Sequence, residues 1–117
     1  MAADPQDHLP LKQGHYLILL ALTPGDLHGY GIKKAVAAQT EGRVRLGAGS
    51  LYRSIGLLQD EGLIEASNWR PDPRVDDERR EYLRLTDLGR RVATAETDRL
   101  AALVSSARAA GLEGAAP

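Results

Sequence analysis

The chain contains no cysteine, which excludes disulfides and thiolate metal sites. It contains no phenylalanine, and its aromatic residues are only Tyr16, Tyr30, Tyr52, Trp69 and Tyr82, so core packing must rest on Leu, Ile, Val and Ala. Long hydrophobic runs are missing too: the longest, Tyr16 to Leu22, is far too short to span a bilayer. The opening MAADPQDHLP is acidic and polar, unlike a secretory signal, so a cytoplasmic protein without membrane attachment is expected. His8, His15 and His28 do not share a helix face at ligand spacing, so neither a metal nor a cofactor is expected. There is also no overall excess of positive charge, the formal net charge being −1.

What is present suits one soluble domain with a modest core: 117 residues, 43% hydrophobic and 26% charged. The charge is unevenly placed. Lys33, Lys34, Arg43, Arg45 and Arg53 face only Glu41 between residues 28 and 53, and a local basic zone leaves an electrostatic footprint even on a neutral chain. Most of the basic residues are Arg, which is suited to bidentate phosphate or guanine contacts.

Residues 1–9 read as a flexible tail. Leu11 to Leu22 carries Leu17, Leu20 and Ala21 on one face, widened by Ile18 and Leu19, which predicts a mostly buried helix. Thr23-Pro24-Gly25-Asp26 is turn chemistry. His28 to about Thr40 predicts a second helix, with Gly29 and Gly31 weakening its first turn by about 1 kcal/mol each relative to Ala. Arg43 to Leu46 reads as a very short strand or an extended linker. A third helix starts near Ser50, capped by Ser50 or a nearby backbone group, with Leu51, Ile55 and Leu58 inward and Gly62 as its stop. Leu63 to Trp69 and Arg79 to Leu85 predict two strands joined by a charged loop. Thr86 is a good cap for a last helix reaching about Ala110, and 112–117 reads as a second tail.

A helix followed by a two-stranded ribbon can offer side chains to a DNA major groove and the flanking phosphates. This layout predicts a mainly α fold with a small β-wing: a winged helix-turn-helix over residues 10–85, followed by a C-terminal dimerisation helix over 86–111. The candidate DNA-binding residues are Tyr30, Lys33, Lys34, Arg43, Arg45, Ser50, Tyr52, Arg53, Ser54, Arg79 and Arg80. In the wing, Asp72, Asp76, Asp77 and Glu78 cancel the arginines, so a solvated hairpin loop explains that segment equally well. In the last helix Leu88, Val92, Leu100, Leu103, Val104 and Ala107 form a stripe too long for a small domain to cover alone, and a second copy is the expected occupant. Trp69 reads as packing against core or interface rather than stacking on a ligand.

Enzymatic readings fail on spacing. His28-Gly29-Tyr30-Gly31 does not continue as GxGxxG, because Lys34 stands where the third Gly belongs, and no GxxxxGK[ST] occurs. A helix start at which Tyr30 or backbone N–H groups hold a DNA phosphate is the alternative, beside a plain cap formed by His28. Neither Ser50 nor Ser54 has the flanking glycines of a nucleophile elbow.

Three stretches together, LHGYGIKKAV (27–36), GSLYRSIGLLQDEGLI (49–64) and RREYLRLTDLGRR (79–91), resemble the PadR family of bacterial transcriptional regulators, small C-terminal branch. The resemblance spans about Tyr16 to Arg91. It implies a homodimer that binds a pseudo-palindromic operator on double-stranded DNA, usually as a repressor relieved by a small-molecule effector. Carried over by position, Tyr30, Ser50, Leu51 and Tyr52 match the motifs of the second and third helices, and Arg79 and Arg80 match the basic pair ending the wing. Arg53 stands where the family often has Pro or Thr, and the last helix has no aromatic of the kind that stacks effectors in multidrug-sensing members. A winged helix that serves only as a protein-interaction module is the alternative.

Overall fold

A computed structural model describes residues 4–69 and 81–114. Among the described residues, four α-helices and three short strands follow in the order α1 (Gln13–Leu22), β1 (Leu27–His28), α2 (Gly29–Gln39), α3 (Ala48–Asp60), β2 (Ile64–Ser67), β3 (Tyr82–Leu85) and α4 (Asp87–Ala109). The fold is mainly helical with a small antiparallel sheet, ordered β1-β3-β2.

The core has the composition that a chain without Phe must use. Ile18, Leu19, Leu22, Ile32, Val36, Leu51, Leu58, Leu63, Ile64, Leu83 and Val92 form one cluster contributed by every helix and by the β2–β3 pair. Each fully buried aliphatic side chain of this kind contributes about 1.5–3 kcal/mol relative to exposure. Leu46 anchors the α2–α3 connection to the same core. That connection is a linker, not a strand, and Thr40 ties down its start: its hydroxyl donates to the Val36 carbonyl at 2.9 Å and accepts from the Val44 N–H at 3.0 Å.

Two junctions fix the orientation of α3. At its end, Gly62 takes a left-handed φ of 77°. Gly62 N–H then bonds the Gln59 carbonyl at 3.0 Å and Leu63 N–H the Leu58 carbonyl at 2.9 Å, the pair of bonds that closes a helix in a Schellman turn. The start of α4 rests on the same spot. Thr86 N–H donates to the Leu63 carbonyl at 3.1 Å, its hydroxyl donates to the Gly62 carbonyl at 2.6 Å, and the same oxygen caps α4 by accepting from Gly89 N–H at 2.9 Å. The expectation that Thr86 caps the last helix therefore holds, and the cap also links two helices.

The sheet is larger than the sequence suggested. β1 is only two residues long, yet it pairs Leu27 with Leu83 and His28 with Tyr82, so β3 is central. β2 and β3 pair in the register Ile64 to Leu85 through Ser67 to Tyr82. The N-terminal residues differ from a flexible tail: Pro5–His8 form a 3-10 turn, capped by the Asp4 carboxylate accepting from Gln6 N–H at 2.9 Å. The chain between this turn and α1 is held by Glu96 of α4. This carboxylate is only 1% exposed, accepts from Leu11 N–H at 3.1 Å and pairs with Arg99 at 3.0 Å. The Arg99 guanidinium holds the Glu96 carboxyl below its ordinary range, outweighing the opposing effect of burial.

Candidate nucleic-acid interface

The third helix begins at Ala48, two residues before Ser50. Its N-cap is Gly47, whose carbonyl accepts from Leu51 N–H at 2.8 Å, so the backbone alternative holds and Ser50 sits exposed in the first turn. With Leu51, Ile55 and Leu58 facing the core, helical spacing turns the remaining positions outward. Tyr52 and Arg53 are exposed, Ser54 is half-buried, and Leu57 is also exposed, an apolar side chain on the outer face that the candidate set omitted.

The second helix brings up the flanking positive charge. His28 is its N-cap and accepts from Gly31 N–H through Nδ1 at 3.1 Å. That bond requires an unprotonated Nδ1, so the neutral ring carries its proton on Nε2. The His28 ring lies parallel to that of Tyr30 and edge-on to Tyr82, which is in turn edge-on to Trp69. Tyr30 is exposed, and the Lys34 ammonium sits 5.6 Å from its ring centroid, within cation–π range. Lys33 and Lys34 are exposed on α2, as are Arg43 and Arg45 on the linker. Arg45 folds back over the Gly42 turn, where a Cβ on residue 42 would stand 3.2 Å from its Nη2.

The candidates therefore separate into three groups. Tyr30, Lys33, Lys34, Arg43, Arg45, Ser50, Tyr52, Arg53 and Ser54 lie on α2, the linker and the outer side of α3. Arg79 and Arg80 fall outside the described residues, as do Arg70 and Arg74 and the acidic stretch between them. The stripe on α4 divides in two. Val92 is fully buried in the chain's own core and Leu88 packs partly buried against it, so these two close the domain rather than meet a second copy. Leu103 and Val104 are about half exposed, with Leu100 and Ala107 between buried and exposed. Trp69 packs edge-on to Tyr82 while remaining half exposed.

Among the described residues no group of acidic or histidine side chains could hold a metal ion, and no helix is long and apolar enough to cross a membrane.

A third helix with an outward polar face, a preceding helix packed across it and a β2–β3 ribbon define a winged helix-turn-helix of the DNA-binding transcription-regulator class. Residues 18–95 match the family model of the transcriptional regulator PadR-like family, and the chain belongs to that family of regulators, which are not enzymes. Solved structures agree on the fold. A PadR family transcription regulator from Clostridium difficile superposes with a TM-score of 0.69 at 20% identity, over 83% of this chain and 96% of that one. A PadR-like regulator from Bacillus cereus gives 0.69 at 18% identity, over 86% and 92%. The PcaV transcriptional regulator from Streptomyces coelicolor, solved in complex with its natural ligand, gives 0.65 at 25% identity, over 84% and 61%. No curated protein matches the chain.

Proposed function

We propose that this regulator acts as a homodimeric, cytoplasmic repressor that binds a pseudo-palindromic operator. Its α3 enters the major groove, and Lys33, Lys34, Arg43 and Arg45 neutralise flanking phosphates. The observation that carries the reading is the outer face of α3: Ser50, Tyr52 and Arg53 stand exposed beside exposed lysines of α2, on a chain that is otherwise near neutral. Phosphate contacts set affinity and register, and side chains at the start of the recognition helix reach base edges. Arg79 and Arg80 join the contact set through the family motif. Dimerisation is supported by α4. Its buried residues, Gly89, Val92 and Glu96, all belong to its first half, while Leu100, Leu103, Val104 and Ala107 continue onto a half that its own domain leaves uncovered. A second copy of the same stripe fits it, and a two-fold pair matches a palindromic site. A small-molecule effector is the remaining element of the proposal, supported by the ligand complex of PcaV.

The test is binding of the purified protein to the duplex immediately upstream of its own coding sequence, at several salt concentrations, against an unrelated duplex of equal length. The proposal requires tighter binding to the upstream DNA and a linear fall of log K with log salt. Equal, weak binding to both duplexes would refute it.

A further inference from the structure

Gly29, the first residue of α2, is buried although it has no side chain. It is covered by Tyr52 from α3. A Cβ on Gly29 would stand 2.7 Å from the Tyr52 hydroxyl oxygen, 3.1 Å from its Cζ and 3.2 Å from its Cε1. Carbon atoms in van der Waals contact sit about 3.5–4.0 Å apart, so the ring keeps this seat only because residue 29 lacks a Cβ. The backbone does not ask for glycine there, since its left-handed φ values occur at Gly42, Gly62 and Gly111 and not at Gly29. Helix propensity argues against it as well, Ala being the better residue in a helix.

The seat holds Tyr52 in a particular pose. The ring is 62% exposed, with its hydroxyl lodged against the first turn of α2. Among the described residues the hydroxyl has no hydrogen-bond partner, so its O–H remains available to a ligand. The partial positive charge of a helix N-terminus at the same place favours an anion. We infer that Gly29 is a positioning residue for DNA binding: it docks Tyr52 so that the hydroxyl donates to a backbone phosphate beside the groove that α3 enters. This rests on the DNA-binding reading above. Gly29 touches no DNA itself and acts through Tyr52.

The experiment compares wild type, Gly29→Ala, Tyr52→Phe, Tyr52→Ala and the double variant Gly29→Ala/Tyr52→Ala on the upstream duplex, with a thermal melt and a salt series for each. Gly29→Ala and Tyr52→Phe should each weaken binding by about tenfold or more, the effect of losing a hydrogen bond to a charged group. Neither should change the salt slope, because the hydroxyl is uncharged and displaces no counterion, and Gly29→Ala should melt no lower than wild type. The double variant should bind no more weakly than Tyr52→Ala alone, because the added methyl then has no ring to displace. A purely structural glycine would lower the melt and leave the affinity of the folded protein unchanged. Wild-type affinity in Tyr52→Phe overturns the inference, as does full additivity of Gly29→Ala on Tyr52→Ala. If Gly29→Ala fails to fold, Tyr52→Phe decides alone, since it keeps both ring and seat. Failure of the wild type to bind any duplex would overturn the DNA-binding reading itself.

Discussion

Replacing Gly89 with Ala separates packing from helix propensity. Gly89 lies in the first turn of α4, where Ala should favour the helix by about 1 kcal/mol. The structure gives the opposite sign. A Cβ on residue 89 would stand 1.9 Å from the Leu63 carbonyl oxygen, 2.8 Å from its carbonyl carbon and 3.2 Å from its Cα, all of them backbone atoms. No side chain can swing away, so α4 has to move off the Leu63 backbone by well over an ångström. Overpacking costs about 1–3 kcal/mol, occasionally more. The shift also stretches the bonds from Thr86 to Gly62 and Leu63 and the cap from Gly89 N–H, and a lost cap costs about 1 kcal/mol. Less the propensity gain, the net is about 1–3 kcal/mol of destabilisation. At about 4 °C per kcal/mol for a chain of this size, Tm should fall by about 4–12 °C. The control is Gly56→Ala in α3, where a Cβ meets nothing within 4 Å, and there the same exchange should raise stability by up to about 1 kcal/mol. Urea and thermal unfolding at one fixed protein concentration read both, since assembly makes Tm concentration-dependent. A Gly89→Ala protein melting at or above wild type would show that the α3–α4 junction is not as tight as described.

Arg53→Ala should weaken operator binding by about 1–3 kcal/mol if the guanidinium reads a base, with unfolding unchanged because Arg53 is exposed; unaltered affinity in a titration would remove it from the interface. Lys33→Ala should weaken binding to all duplexes alike and reduce the salt slope by about one, and a constant slope would count against a phosphate contact. Burial, together with Lys12, lowers the pKa of His15 from 6.5, with Glu61 opposing. The folded state therefore resists protonation that the unfolded chain accepts, so this contribution to stability is complete above pH 6.5 and is lost as pH falls through the folded value. The urea midpoint should decline over that range in wild type and decline less in His15→Gln; parallel curves would refute the assignment. Glu96, lowered from 4.5 chiefly by Arg99, should produce a second decline below pH 4.5 that Arg99→Ala makes smaller, as read by the same unfolding series.

The helices and the ribbon were legible because their signals are local. Leu51, Ile55 and Leu58 repeat at helical spacing, Gly62 is a stop and Thr86 a start, and each of these acts within one turn of chain. What escaped depends on distant partners. β1 is two residues long and becomes a strand only because β3 lies beside it. The 3-10 turn at Pro5–His8 did carry a signal, an Asp cap followed by Pro, but that signal is short, and Glu96, which holds Leu11 just after it, reads as one more solvated charge on α4. The stripe from Leu88 to Ala107 has a single period, and periodicity cannot say that Val92 faces its own domain while Leu103 does not. In the candidate interface, exposure of the α2 and α3 side chains followed from the same period as the core. The seat of Tyr52 on Gly29 did not, since it joins two helices across a linker.

Because α4 starts on the carbonyls that end α3, the two helices behave as arms of a bent lever with its pivot at Gly62–Thr86. The long arm has 23 residues, about 34 Å at the usual rise, so a tilt of roughly 10° at the pivot sweeps its tip by about 6 Å. In any pair of copies clasped by their α4 tips, small changes in the crossing angle would reset the separation of the two α3 helices, without a loop rearranging or a side chain changing its partner.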